Sequence, residues 1–336
     1  MFMTNPIKIS LCCTFLFFSS INVLQSKPFE STYQPLPAEK ILITNASIYD
    51  GDGNEFKNTD VLVQDGKIIA IGEDLPAPED FRIIDATGKW VTPGIIDIHS
   101  HMGVYPAPGV RTSSDGNEAT SPVTADVWAE HSMWVQDPQY ALALTGGVTA
   151  FHVLPGSANL IGGRGVTVKN LQRTTINSMK FPDAPHSLKM ACGENPKRVY
   201  GNRGQAPSTR MGNAAGYRKS WIQAEGYLRK LVEYEKKSDE AKELEYAPRR
   251  DLEMETLAGV LKGEILVHNH CYRADEMATM IDIAKEFNYK ITAFHHGVEA
   301  YKIADLLADN GICGALWADW WGFKHEAYDM VQANIA

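Results

Sequence analysis

Val91-Thr92-Pro93-Gly94-Ile95-Ile96-Asp97-Ile98-His99-Ser100-His101 is the stretch that decides the fold. A run of apolar β-formers ends in two histidines spaced i, i+2, and alternate residues of a strand project to the same face. The pattern predicts two imidazoles, His99 and His101, side by side at the exit of a buried strand. Neutral imidazole is the commonest protein ligand for zinc and also suits iron, copper and nickel. A hydrogen-bonded histidine pair closing a strand is the plain alternative, and an isolated H-x-H does not separate the two.

Working outward, the same ending recurs. Glu264-Ile265-Leu266-Val267-His268-Asn269-His270 is a second strand closed by H-x-H, and Lys290-Ile291-Thr292-Ala293-Phe294-His295-His296-Gly297 is a third that ends in histidine. Helical patterns lie at Gln139 to Leu144, Ala274 to Phe287 and Val298 to Asp309, with Val148 to Val153 as a further strand and Gly311 to Leu316 as the last. Strands alternating with helices argue parallel βα units. In a barrel the strand exits converge on one face, where catalytic groups collect. The spacing therefore predicts that His99, His101, His268 and His296 cluster in space.

Other segments read more plainly. Pro155 to Gly165 is glycine-rich but is followed by no helix, so it reads as a barrel loop on the substrate side and not as a phosphate cradle. Residues 220–261 read as a charged insertion, a solvated amphipathic helix pair with Trp221, Ala224, Leu228, Leu231, Val232 and Tyr234 on its apolar side. Arg198, Arg203 and Arg210 read as solvated loop residues. Upstream, Asp65-Gly66 between two short apolar runs predicts a hairpin with a type I′ turn.

Composition bounds the partners. The 336 residues are 44% hydrophobic and 22% charged, ordinary for a globular enzyme. A net charge of −9 argues against nucleic acid and anionic membrane surfaces. At the N-terminus Lys8 precedes an apolar run from Ile9 to Phe18, too short to span a membrane, and Ser19-Ser20 follow. That is the layout of a signal peptide over 1–26, and it predicts export to the periplasm or beyond, with no membrane association after cleavage. Cys192, Cys271 and Cys313 then remain, an odd and sparse set that predicts small buried apolar residues and no disulfide framework.

The stretch "PG-hydrophobic-D-hydrophobic-H-x-H" resembles the strand-1 signature of the amidohydrolase superfamily, and the likeness extends over residues 40 to 330. It is most similar to the imidazolonepropionase-like and Xaa-Pro-dipeptidase-like branch. The resemblance implies an α/β fold: a (β/α)8 TIM-type barrel over 91–336, with the last βα unit missing. It also implies a small, incomplete N-terminal β-sandwich domain over 40–90, joined to the leader by a linker over 27–39. Patterns such as "VHAH" and "EHG" in that family make His268 and His296 metal ligands beside His99 and His101. His270 and His295 then become catalytic groups that face the substrate or support the ligands. Strand 4 commonly supplies a bridge between two ions, and here Ser187 to Pro196 offers Lys189 or Glu194. Lysine serves only as its carbamate, since an ammonium has no lone pair. Glu194, which needs no modification, is the favoured one.

The implied cofactor is a divalent metal, zinc first, at one or two ions per chain. Such an ion lowers the pKa of bound water to about 7 and polarises a carbonyl. The expected function is therefore an exported metal-dependent hydrolase of an amide, peptide or cyclic amide bond, acting on a small-molecule or dipeptide-like substrate, with homo-oligomers allowed. A one-metal deaminase of cyclic amidines and a non-catalytic exported binding protein are the alternatives. The family's proton-transfer aspartate, at the end of strand 8, is expected beyond Ala336, with Asp319 the only local substitute.

Overall fold

The computed structural model describes residues 27–317, 324 and 326–328. Its N-terminal part is a separate five-stranded sheet of β1 (Ile41–Tyr49), β2 (Glu55–Gln64), β3 (Lys67–Gly72), β4 (Arg82–Asp85) and β5 (Trp90–Val91). The order is β3-β2-β1-β4, and β5 also pairs with β1. Gln64 faces Lys67 across the two-residue link Asp65-Gly66, whose φ angles are 52° and 71°. Positive φ at both positions is what a type I′ turn requires, and glycine meets that requirement at little steric cost. Ala46, Ile48, Val61 and Ala86 close a small core on one face of this sheet.

The remainder is a nearly closed seven-stranded barrel sheet. In chain order it comprises β6 (Ile95–Ser100), α1 (Gln139–Thr145), β7 (Val148–Val153), β8 (Ile161–Lys169), β9 (Ser187–Ala191), α2 (Glu194–Gly201) and α3 (Arg210–Glu235). Then come α4 (Asp239–Glu243), α5 (Leu252–Leu261), β10 (Leu266–His270), α6 (Ala274–Glu286), β11 (Ile291–His295), α7 (Ala304–Asp309) and β12 (Cys313–Ala315). The strands run in order from β12 back to β6.

Three expectations need correction. The glycine-rich stretch is a loop only as far as Leu160; from Ile161 it is β8, paired antiparallel with both β7 and β9. Seven residues separate Val153 from Ile161, too few for the dozen or more a parallel crossover needs, so the chain returns as a hairpin. The glycines admit close neighbours rather than a ligand. A Cβ at Gly163 would lie 2.4 Å from the Val127 carbonyl oxygen, and one at Gly165 would lie 2.5 Å from Ser187 Oγ.

The helical insertion is likewise not a solvated appendage. Its first helix begins at Arg210, capped by the Thr209 side chain accepting from Gly212 N–H. It buries Tyr217, Trp221 and Ala224 in the main core and also buries Leu231, while Val232 faces solvent. All of α5 from Met254 to Val260 is buried. These helices are the layer that lets β9 and β10 run parallel. Facing them, Leu188, Met190 and Val267 point outward into the same cluster.

The cysteines are not all independent. Ala191 pairs with His270 in the parallel ladder, so the next rung places Cys192 opposite Cys271, and the two form a disulfide with Cα atoms 5.2 Å apart. Cys313 is free and exposed. Strand register, which the sequence does not display, makes the pair. Cross-linking residues 79 apart restricts the unfolded chain, worth about 4 kcal/mol by the chain-entropy argument. Replacing both cysteines by serine is expected to remove stability of that order, read as a lower urea midpoint that reductant no longer changes. Among the described residues no helix is long and apolar enough to cross a membrane.

Candidate active site

Strand register builds the site in rungs. Lys189, His268 and Ala293 align across β9, β10 and β11, and the rung above holds Ala191, His270, His295 and Ala315. A register shift between Val267 and His268 gives β11 an extra residue at Thr292. That bulge turns both Ile291 and Phe294 outward to the core and keeps His295 facing in.

The strand ends deliver their histidines to one another. His295 lies between two of them, with Nδ1 2.8 Å from His99 Nδ1 and Nε2 2.8 Å from His268 Nδ1. His99 Nε2 is 3.2 Å from His101 Nε2. His101 Nδ1 lies 2.8 Å from the Leu154 carbonyl, which can only accept, so Nδ1 carries the hydrogen and Nε2 turns its lone pair inward. His296 adopts φ 55°, a left-handed backbone uncommon for any residue but glycine. Its ring stacks on Trp317 at 3.8 Å and stands edge-on to His99 at 4.9 Å. Strained backbone of this kind gathers at functional sites.

Burial sets the electrostatics. It is the main cause, with the Lys189 charge next, that lowers His101 and His268 to about 4. Burial also holds His99, His152, His270 and His295 well below the ordinary imidazole value. Burial therefore disfavours the charged form of these six rings, and a neutral imidazole keeps one nitrogen lone pair. In its midst Lys189 is fully buried, and its Nζ has no hydrogen-bond partner among the described residues. Burial lowers its pKa from 10.5 to about 7. Glu194 is the first residue of α2, past the Gly193 turn, and half-buried.

Among the described residues no group of three or more His, Cys, Asp or Glu side chains is arranged to hold a metal ion, since the ring nitrogens hydrogen-bond one another. The donor chemistry nevertheless fits one. Two nitrogens on one tetrahedral zinc stand about 3.3 Å apart, given Zn–N distances of about 2.0–2.1 Å. The His99–His101 separation is close to that. A buried amine with no hydrogen-bond partner among the described residues fits as well, once it is converted to an anionic carbamate.

Several members of the site went unnoticed in the sequence. His152 on β7 stands edge-on to His268 at 4.6 Å and hydrogen-bonds Ser187 Oγ at 2.7 Å. Its signal is a polar residue in the buried half of β7, between Phe151 and Val153. Ser157 and Asn195, on loop and helix, contact His270 and left no such mark. Nor are the arginines uniformly solvated. Arg210 pairs with Glu276 at 3.1 Å and with Glu326, and Arg198 reaches Asn195. Asp319 lies outside the described residues.

Comparison with known proteins gives a consistent picture. No family model matches the chain. Over 293 residues it is 37% identical to the amidohydrolase tasK of Hapsidospora irregularis, a match that takes in 80% of this chain and 29% of that protein. The chain thus spans under a third of that curated relative. A dihydroorotase of Citrifermentans bemidjiense is 42% identical over 75 residues, 22% of this chain and 17% of its own. Among solved structures, an amidohydrolase from Thermotoga maritima superposes with a TM-score of 0.77 at 40% identity, covering 87% of this chain and 74% of that one.

Proposed function

We propose, starting from a chain that belongs to the amidohydrolases, that it hydrolyses a C–N bond of a small amide, dipeptide or cyclic amide with a divalent metal held at the histidine cluster. The observation that carries this reading is the Lys189 amine, fully buried with no hydrogen-bond partner among the described residues and on the same rung as His268. An ammonium there would bear the full desolvation penalty of an unpaired charge. A neutral amine, by contrast, can add to carbon dioxide, losing a proton and leaving a carbamate with two oxygens to offer a metal. The depressed pKa makes the neutral form available near pH 7. On this reading Lys189, rather than Glu194, would supply the anionic ligand beside the histidines.

The chain's own groups divide the work. His99, His101, His268 and the adjacent pair His295-His296 would hold the metal, zinc being the natural choice for this imidazole set. When bound, the ion supplies an acidified water and polarises a carbonyl. The Leu154 carbonyl fixes the His101 ring by accepting from Nδ1. Trp317, laid flat on His296, would hold that ring in place at the edge of the cluster. The leader sequence and the disulfide between Cys192 and Cys271 support an exported protein, because such bonds persist in oxidising compartments.

The test is a substrate panel of dipeptides, cyclic amides and cyclic amidines, run on the full chain after chelator treatment and again after zinc is restored. Release of a carboxylate and an amine that requires zinc is the expected outcome. Ammonia released from cyclic amidines alone would make the enzyme a deaminase instead.

A further inference from the structure

Leu154 to Leu160 joins β7 to β8 at the barrel mouth, and the proposed function gives Ser157 in it no role. It is clamped in place. Gly156 N–H donates to the Gly116 carbonyl at 2.7 Å, and Ala158 N–H donates to Asn117 Oδ1 at 3.1 Å. Asn159 Nδ2 donates to the carbonyls of Glu118 and Ser121 at 2.7 and 2.8 Å. A Cβ at Gly156 would lie 2.2 Å from the Asn117 side chain, so the clamp also requires a glycine. This frame presents Ser157, whose Oγ lies 2.9 Å from His270 Nδ1. On the far side of the same ring Asn195 Nδ2 is 3.3 Å from Nε2, and Arg198 Nη2 is 3.3 Å from Asn195 Oδ1.

The polarity of this chain is fixed from its outer end. A guanidinium only donates, so Asn195 Oδ1 accepts from Arg198 and the amide nitrogen is the end that faces His270. An amide N–H₂ also only donates, so Nε2 of His270 accepts. The ring's hydrogen then sits on Nδ1 and is given to Ser157 Oγ. A hydroxyl oxygen that accepts from the ring turns its own hydrogen away from it. His270 shares its rung with His295 and its ring lies 4.5 Å from that of His296, so the hydroxyl stands one ring away from the histidine cluster.

We propose that Ser157 is a catalytic residue whose hydroxyl donates to the substrate oxygen on which charge builds during C–N bond hydrolysis, with Asn195 and Arg198 as positioning residues that set the direction of the relay. The proposal rests on the hydrolytic reading of the site, but its test has a part that needs no turnover. Nitrogen NMR of the full chain, labelled at histidine, reads the tautomer of His270. The hydrogen is expected on Nδ1 in the wild type, and it moves to Nε2 in Asn195→Asp, whose carboxylate only accepts. An Nε2-protonated ring in the wild type would overturn the relay.

The kinetic part follows from losing one preorganised donor to an oxyanion, which costs about 100-fold in kcat. Ser157→Ala is expected to show that loss with zinc content and KM little changed, and Ser157→Thr to restore most of it. Asn195→Asp should fall similarly with Ser157 intact, because the hydroxyl hydrogen is then drawn back to the ring. An undiminished kcat in Ser157→Ala overturns the catalytic role. A wild-type chain that hydrolyses no amide refutes the hydrolytic reading and Ser157's catalytic role with it, while the tautomer still decides the relay.

Discussion

Lys189→Met is expected to lower kcat/KM for the amide substrate by on the order of 10³-fold and to reduce the zinc bound per chain. Methionine keeps the length and apolar stem of the side chain in a fully buried position, so the fold should survive. What it removes is the amine that, on the proposed reading, becomes an anionic ligand among the histidines. A metal centre contributes several kcal/mol to stabilising developing charge, and each 1.36 kcal/mol is tenfold in rate. The same variant carries a pH signature in metal-free protein. The lysine's folded pKa is about 7, below its unfolded value of 10.5. Between those values the unfolded chain holds a proton that the folded chain has lost, so raising pH through that window favours the fold. Below pH 7 both states are protonated and the burial penalty is felt in full. Wild-type melting temperature should therefore rise from pH 7 toward pH 10 relative to Lys189→Met, and parallel curves would contradict it.

Trp221→Ala is expected to cost about 3–5 kcal/mol, the range for deleting a large buried aromatic. Trp221 is fully buried on α3, with its ring centroid 4.4 Å from that of Tyr289. It belongs to the cluster that also contains Leu188, Met190 and Val267, the outward residues of the strands that carry Lys189 and His268. Total stabilities run about 5–15 kcal/mol, so the loss is a large fraction of the whole. Val232→Ala, on the exposed side of the same helix, should change the urea midpoint little. Equal losses at the two positions would return these helices to the role of a solvated insertion.

The contrast shows where sequence patterns carry information. Periodicity marked β6, β10 and β11 because each is a run of apolar residues with a polar ending, and Asp65-Gly66 marked a turn because few dipeptides accept its dihedral angles. Register and pairing left no local trace. The antiparallel course of β8 follows from the shortness of its link to β7, and its glycines answer to neighbours distant in sequence. The Cys192–Cys271 pair and the shared rung of Lys189 and His268 both follow from how β9 meets β10. Glu194 looked the better bridge in the sequence because a carboxylate needs no modification. The β9 register instead puts Lys189 in the interior and leaves Glu194 on the helix beyond it. The amphipathic pattern of α3 was visible, yet the buried layer it joins required a partner surface that no single segment reveals.

Lys189 is proposed to become a carbamate that takes part in metal binding. Carbon-13 NMR of the full chain, equilibrated with labelled bicarbonate with and without zinc, tests this most directly. One carbamate resonance per chain, stabilised by zinc and absent from Lys189→Met, is the predicted result. A zinc-loaded, hydrolytically active chain with no such resonance would contradict it.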